Sequence, residues 1–138
     1  MKIRAAITAV HGYVPDYVLS NQVLETMVDT NSEWIETRTG IKERRILKGK
    51  GLATSDMAVE AIKGLLKKKN IAPEEIDMII VATATPEFHF PSNACVLQHE
   101  LGVREDIPAF DLNAACAGFV YALSVADQFM KNDALCDS

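Results

Sequence analysis

The sequence predicts an α/β fold with parallel strands, and three observations carry that expectation. Asp77 to Ala84 (DMIIVATA) is an apolar run without alternation, the pattern of a strand covered on both faces by helices. Pro108 to Leu112 reads as a second short apolar strand. After a tight Asn-Ala-Ala turn, Phe119, Ala122, Val125, Ala126 and Phe129 recur at helical spacing. Along the rest of the chain strand-like and helix-like segments alternate, which argues for helices crossing over between parallel strands.

Taken in order, Ile3 to Val10 is Ala/Ile/Val-rich and predicts the first strand, and Gly12, Pro15 and Asp16 then turn the chain. Ser20 is placed to cap a helix that carries Val23, Leu24, Met27 and Val28 inward. Thr30-Asn31-Ser32 breaks that helix and caps a second, Glu33 to Arg38, which Gly40 stops. Ile41 to Gly51 (IKERRILKGKG) carries Lys42, Arg44, Arg45, Lys48 and Lys50 against Glu43. It reads either as a solvated loop or short ribbon, or as a local anion-binding rim. Thr54 or Ser55 caps a third helix, with Met57, Ala61, Ile62, Leu65 and Leu66 on one side and Lys67 to Lys69 in the last turn, where cations suit the dipole. Asn70 closes it and Pro73-Glu74-Glu75 makes a short acidic turn. Thr85-Pro86 ends the DMIIVATA strand, and PEFHFP crosses over as an aromatic loop. Ser92 caps a fourth helix that runs to Leu101 and stops at Gly102.

Length and composition bound the function. A chain of 138 residues, 49% apolar, is expected to form one ordinary domain with a real core. Fourteen basic against nineteen acidic residues give a net charge of −5, which offers no general attraction to nucleic acid or to an anionic membrane. Cys95, Cys116 and Cys136 are odd in number and irregular in spacing, so they make no disulfide framework, and a reducing cytoplasm is the simpler expectation. The longest strongly apolar run, Met78 to Ala82, is far too short to span a bilayer. The start MKIRAAITAV is interrupted by His11 and Gly12 too early for an export signal.

Cys116 is the residue around which the chain is organised. It falls where a strand hands over to a helix, facing unpaired helix N–H groups and the positive end of the dipole, both of which favour a charged sulfur. Ala114, Ala115, Ala117 and Gly118 leave room for a substrate to approach. The other reading is a buried cysteine filling space in a small-residue turn. Cys95 and His99 share a helix face with His89 nearby in sequence, but nothing else has zinc-ligand spacing, and a core-facing cysteine beside a solvated histidine is the simpler reading. Gly49 and Gly51 match no phosphate-cradling motif. Asp111, five residues before Cys116, reads as structural rather than as a base.

Three stretches together resemble a known family. DTNSEWIETRTGIKERRI (Asp29 to Ile46), Phe90-Pro91-Ser92, and FDLNAACAGFVYALSVADQF (Phe110 to Phe129) look like β-ketoacyl-acyl-carrier-protein synthase III, the thiolase-fold enzyme that starts bacterial fatty-acid synthesis. The resemblance runs from about residue 3 to Met130. It implies a thiolase-like N-terminal half, with a mixed, mainly parallel sheet layered with helices and the nucleophile at a buried helix N-terminus. It implies that Cys116 takes an acyl group from acyl-CoA, and that the acyl-enzyme condenses with malonyl-acyl-carrier protein with loss of carbon dioxide. Thr30, Trp34 and Arg38 would stand at the mouth of the CoA channel, Trp34 stacking on the adenine, and Phe90 would shape the acyl pocket across a homodimer interface. The basic stretch Ile41 to Gly51 would lie near the CoA phosphates or the acidic carrier protein. No metal and no cofactor is implied, acyl-CoA being a substrate, and the setting is cytoplasmic.

The same resemblance implies a longer protein. Members of this family draw a catalytic histidine and asparagine from a second, similar half, and His11, His89 and His99 do not sit in the family's histidine motif. This chain reads as residues 1–138 of an N-terminal half-domain that holds the acyl acceptor without the decarboxylation machinery. Two other readings stand beside it. One is another thiolase-fold acyl-CoA condensing enzyme, and the other is a catalytically incomplete half-domain that acts only in association.

Overall fold

The computed structural model describes residues 5–131, and these divide into two compact units. The smaller comprises residues 13–53. It opens with strand β1 (Val18–Ser20), followed by helix α1 (Asn21–Glu25), helix α2 (Ser32–Thr39) and strand β2 (Glu43–Arg45). β1 and β2 pair antiparallel, Val18 facing Arg45 and Ser20 facing Glu43, so part of the basic stretch forms a short ribbon. Ser20 ends β1 and caps α1, its hydroxyl accepting the Val23 N–H. Asn31 caps α2 through the Trp34 N–H, and Gly40 ends α2 at φ +71°, where a residue without Cβ is least strained.

One side chain organises this unit. Asn21 is fully buried, and its amide donates to the Ile41 carbonyl at 2.9 Å and to the Ser32 hydroxyl at 3.3 Å. Its carbonyl oxygen accepts from the Arg44 guanidinium at 2.5 Å. A single satisfied amide thus ties α1 to α2 and β2, with Ile35 as the apolar core beside it. The expectation that Val23, Met27 and Val28 point inward fails, for all three are exposed. The helix stops after Glu25, with the Thr26 hydroxyl donating to the Val23 carbonyl in its last turn, before the apolar stripe can develop.

The larger unit comprises residues 5–12 and 54–131. Helix α3 (Thr54–Lys69) leads through a 3-10 turn (Pro73–Glu75) to strand β3 (Ile79–Ala82). Helix α4 (Asn93–Leu101) leads to strand β4 (Ala109–Leu112), and a 3-10 turn (Ala115–Ala117) opens into helix α5 (Gly118–Lys131). β3 and β4 are parallel, Ile79 facing Ala109 and Ala82 facing Leu112, as the alternation of elements predicts. The core is built around α4. Ala94 and Leu97 are fully buried on it, and Leu66, Val103 and Ile107 close around them. Ser92 caps α4 through the Cys95 N–H, and Gly102 ends it at φ +67°.

Two strand expectations are corrected. Residues 5–10 form no strand, because their N–H and C=O groups join no ladder among the described residues, and Ile7 and Val10 stand exposed. β3 is shorter than Asp77 to Ala84. None of its four residues is fully buried, so the two-sided cover expected of this run is only partial. The His11 ring packs directly on α3 at Gly64, where a Cβ would fall inside the imidazole. That accounts for a glycine in mid-helix. No helix among the described residues is long and apolar enough to cross a membrane.

Candidate active site

Cys116 lies in the 3-10 turn between β4 and α5, the strand-to-helix junction predicted for it. Within this chain it is exposed. The reason is local. Ala114, Ala115, Ala117 and Gly118 carry too few atoms to cover the sulfur, and Phe119 and Val120, which follow, are themselves exposed. The backbone of this turn is unusual. Ala115 has φ +44°, a region that residues with a Cβ rarely occupy, and the Asn113 side chain braces it by accepting the Ala115 N–H at 3.4 Å. The left-handed backbone at Ala115 immediately precedes the exposed Cys116. Gly118 starts α5 close to β3, where an added Cβ would sit in van der Waals contact, 3.4 Å from that of Ala82. Farther along, Phe129 on α5 meets Phe110 on β4 with ring centroids 6.3 Å apart.

Cys116 and Phe119 stand at an apolar cleft of about 650 Å³ whose other walls include Ala58, Ile62, Ile80 and Ala126. Phe90 lines no part of it. Phe90 is 91% exposed on the loop between β3 and α4, so within this chain the two predicted site residues are not brought together. Cys95, the other described cysteine, is half-buried and engaged, its thiol lying 3.2 Å from the Ser92 hydroxyl and 3.7 Å from the Ala109 carbonyl. Cys136 lies outside the described residues. Among the described residues no group of three His, Cys, Asp or Glu side chains could hold a metal ion.

In the smaller unit the structure does bring the predicted residues together. The Arg38 guanidinium lies 5.2 Å from the centroid of the Trp34 ring, one helical turn away, a cation–π pair on an exposed face of α2. Thr30, Asn31, Asp29 and Trp34 line a small recess of about 240 Å³ at the start of that helix. A half-exposed indole whose face is shared with a guanidinium is a flat, electron-rich platform, suited to a planar ligand carrying anionic groups. The neighbouring basic stretch is less available than its composition suggests. Arg44 is held by Asn21, Arg45 donates to the carbonyls of Pro15 and Asp16 at 3.3 Å, and Lys48 sits 3.3 Å from the centroid of the Tyr17 ring.

Asp111 is structural, as its sequence position implied. Its two carboxylate oxygens accept the N–H groups of Asn93 and Ala94, each at 2.9 Å, at the start of α4. Asn93 and Glu87 escaped sequence reading. The clue was a polar residue placed directly after the Ser92 cap, where the helix turns into the core.

Comparison with known proteins completes the picture. The family model described as 3-oxoacyl-[acyl-carrier-protein] synthase III matches residues 110–137, the segment that contains Cys116. The β-ketoacyl-[acyl-carrier-protein] synthase III of Coxiella burnetii (strain RSA 331 / Henzerling II) is 54% identical over 129 residues, covering 94% of this chain and 40% of that protein. Over these residues the chain is similar to the β-ketoacyl-acyl-carrier-protein synthase III family. The solved structure of the 3-oxoacyl-[acyl-carrier-protein] synthase III from Aquifex aeolicus VF5 superposes with TM-score 0.82 at 51% identity, covering 89% of this chain and 39% of that one. The β-ketoacyl-[acyl carrier protein] synthase III from Thermus thermophilus gives 0.87 at 40% identity, covering 95% of this chain and 40% of that one. The fold is therefore thiolase-like. The chain spans about 40% of the length of the synthase III relatives it matches.

Proposed function

We propose that the complete protein is an acyltransferase that starts fatty-acid synthesis, condensing an acyl-CoA primer with malonyl-acyl-carrier protein. In the first step the Cys116 thiolate attacks the thioester carbonyl. A carbon–sulfur bond forms, the tetrahedral adduct collapses, and CoA leaves as its thiolate and takes up a proton. In the second, malonyl-carrier protein loses carbon dioxide, and the resulting enolate carbon attacks the acyl group on Cys116. The carbon–sulfur bond breaks, β-ketoacyl-carrier protein is released and the Cys116 thiolate is restored. No cofactor enters this sequence.

The observation that carries the reading is Cys116 itself, exposed on a strained turn at a strand-to-helix junction inside the segment matched by the family model. In this reading Trp34 stacks on the CoA adenine, Arg38 supports the indole and meets phosphate, and Thr30 edges the same recess. Phe90, exposed on its loop, shapes the acyl pocket of a second subunit in a cytoplasmic homodimer. The histidine and asparagine that stabilise the enolate come from a second half, beyond the 40% of the relatives' length that this chain matches.

The test is intact-mass analysis of the complete gene product after exposure to acetyl-CoA, followed by addition of malonyl-carrier protein. Acetylation that maps to Cys116, is lost in Cys116→Ala and discharges as acetoacetyl-carrier protein is the expected result. Condensation that survives in Cys116→Ala would overturn it. This chain by itself is expected to release no β-ketoacyl product.

A further inference from the structure

We propose that Glu87 is a positioning residue that fixes Phe90 and thereby sets which acyl primers are accepted; the inference rests on the acyl-pocket role given to Phe90 above. Within this chain the aromatic side chains do not anchor the loop between β3 and α4, since Phe88 is 57% and Phe90 91% exposed. Its position therefore depends on polar anchors, and Glu87 makes two. Its carboxylate accepts the Ser55 N–H at 2.6 Å, in the first turn of α3, where the unpaired N–H groups and the helix dipole favour an anion. Its own N–H donates to the side-chain oxygen of Asn93 at 3.3 Å.

Asn93 is fully buried, and its backbone N–H is taken by Asp111 on the strand that leads to Cys116. A continuous chain of hydrogen bonds thus runs from Ser55 through Glu87 and Asn93 to Asp111. It braces the aromatic loop against the start of α3 on one side and the start of α4 on the other. Phe90 projects from that loop three residues beyond Glu87. The other link from α3 to the loop, Thr54 hydroxyl to Thr85 carbonyl at 3.5 Å, is at the limit of a hydrogen bond and cannot replace the carboxylate. Without Glu87 the loop keeps its hold on α4 and its hold on α3 is weakened, which gives Phe90 room to shift. Displacements on the order of 1 Å matter to a packed acyl pocket.

The experiment measures kcat/KM for acetyl-CoA and for butyryl-CoA in the complete gene product and in its Phe90→Ala, Glu87→Ala and Glu87→Gln variants. Glu87→Ala is expected to shift the butyryl-to-acetyl ratio by at least about fivefold, in the same direction as Phe90→Ala. Glu87→Gln, whose amide oxygen still accepts the Ser55 N–H, should restore the wild-type ratio. Should Glu87→Ala fail to fold, Glu87→Asp, which keeps the charge but shortens its reach, carries the same comparison. An unchanged ratio in the Glu87 variants beside a shifted ratio in Phe90→Ala overturns the positioning role and leaves the Phe90 reading standing. An unchanged ratio in Phe90→Ala removes the acyl-pocket role of Phe90, and this inference falls with it.

Discussion

The carboxylate of Asp111 grips the first turn of helix α4 at Ala94, accepting its N–H at 2.9 Å while its second oxygen takes the adjacent N–H of Asn93. A strand residue five positions before Cys116 thereby serves as the anionic cap of a neighbouring helix, in addition to the Ser92 hydroxyl that caps it from within. Both N–H groups belong to fully buried residues, so their loss is not made good by water. Asp111→Asn leaves one acceptor where there were two and turns an NH₂ group toward a donor. The expected cost is about 2 kcal/mol of folding stability, combining a lost cap with an unsatisfied buried N–H. Urea denaturation of the complete protein measures it. A change under about 0.5 kcal/mol would mean that Ser92 alone suffices.

The pairing of Trp34 with Arg38 leads to a prediction on substrate binding. If this platform meets CoA, Trp34→Ala should raise KM for acyl-CoA severalfold and leave KM for malonyl-carrier protein nearly unchanged. Arg38→Ala should do the same more weakly, and the double variant should reveal a coupling of about 0.5–1 kcal/mol. Steady-state kinetics with each substrate varied in turn decides the matter. Equal losses for both substrates would assign Trp34 to the packing of α2.

Local rules made much of this legible. Ser20, Asn31, Ser92, Gly40 and Gly102 punctuate the helices where they were expected to, because caps and left-handed stops act over a few residues and need no knowledge of the fold. The parallel pairing of β3 with β4 followed from the alternation of elements. What escaped was long-range. Residues 5–10 have the composition of a strand, yet a strand exists only through a ladder partner, which no local pattern supplies. The same holds for Asn21, Glu87 and Asn93, whose partners lie 6 to 32 positions away in sequence. In the candidate site the position of Cys116 was readable and its exposure was not, because burial depends on what covers a turn. Of the two readings of the basic stretch, composition could not choose, since Asn21 and the carbonyls of Pro15 and Asp16 engage Arg44 and Arg45 through the fold.

The strained backbone at Ala115 gives a third prediction. A φ of +44° is a region glycine enters freely, so Ala115→Gly should leave stability unchanged or raise it by up to about 1 kcal/mol. The added freedom lets the turn sample other orientations of the Cys116 sulfur. Acylation by acetyl-CoA, followed as single-turnover acyl-enzyme formation, is therefore expected to slow severalfold while the protein becomes no less stable. A slower reaction accompanied by a clear loss of stability would point to damage to the fold rather than to loss of aim.

The last prediction concerns the 138-residue chain as a polypeptide in its own right. α5 presents Phe119, Val120 and Tyr121 to solvent, and the β3–α4 loop adds Phe88 and Phe90, all more than half exposed. Apolar surface of that kind favours association. Size-exclusion chromatography with light scattering should find the isolated chain oligomeric, with the mass rising with concentration. Alkylation with limiting iodoacetamide should modify Cys116 well ahead of Cys95, because Cys116 is exposed while the Cys95 thiol is half-buried and engaged by Ser92 and Ala109. The two measurements constrain one another. If association buries the α5 face, raising the protein concentration should slow labelling of Cys116 relative to Cys95, since the sulfur lies one turn from Phe119. A strictly monomeric chain at all concentrations, or one in which Cys95 reacts first, would contradict this arrangement of the exposed turn and the apolar helix beside it.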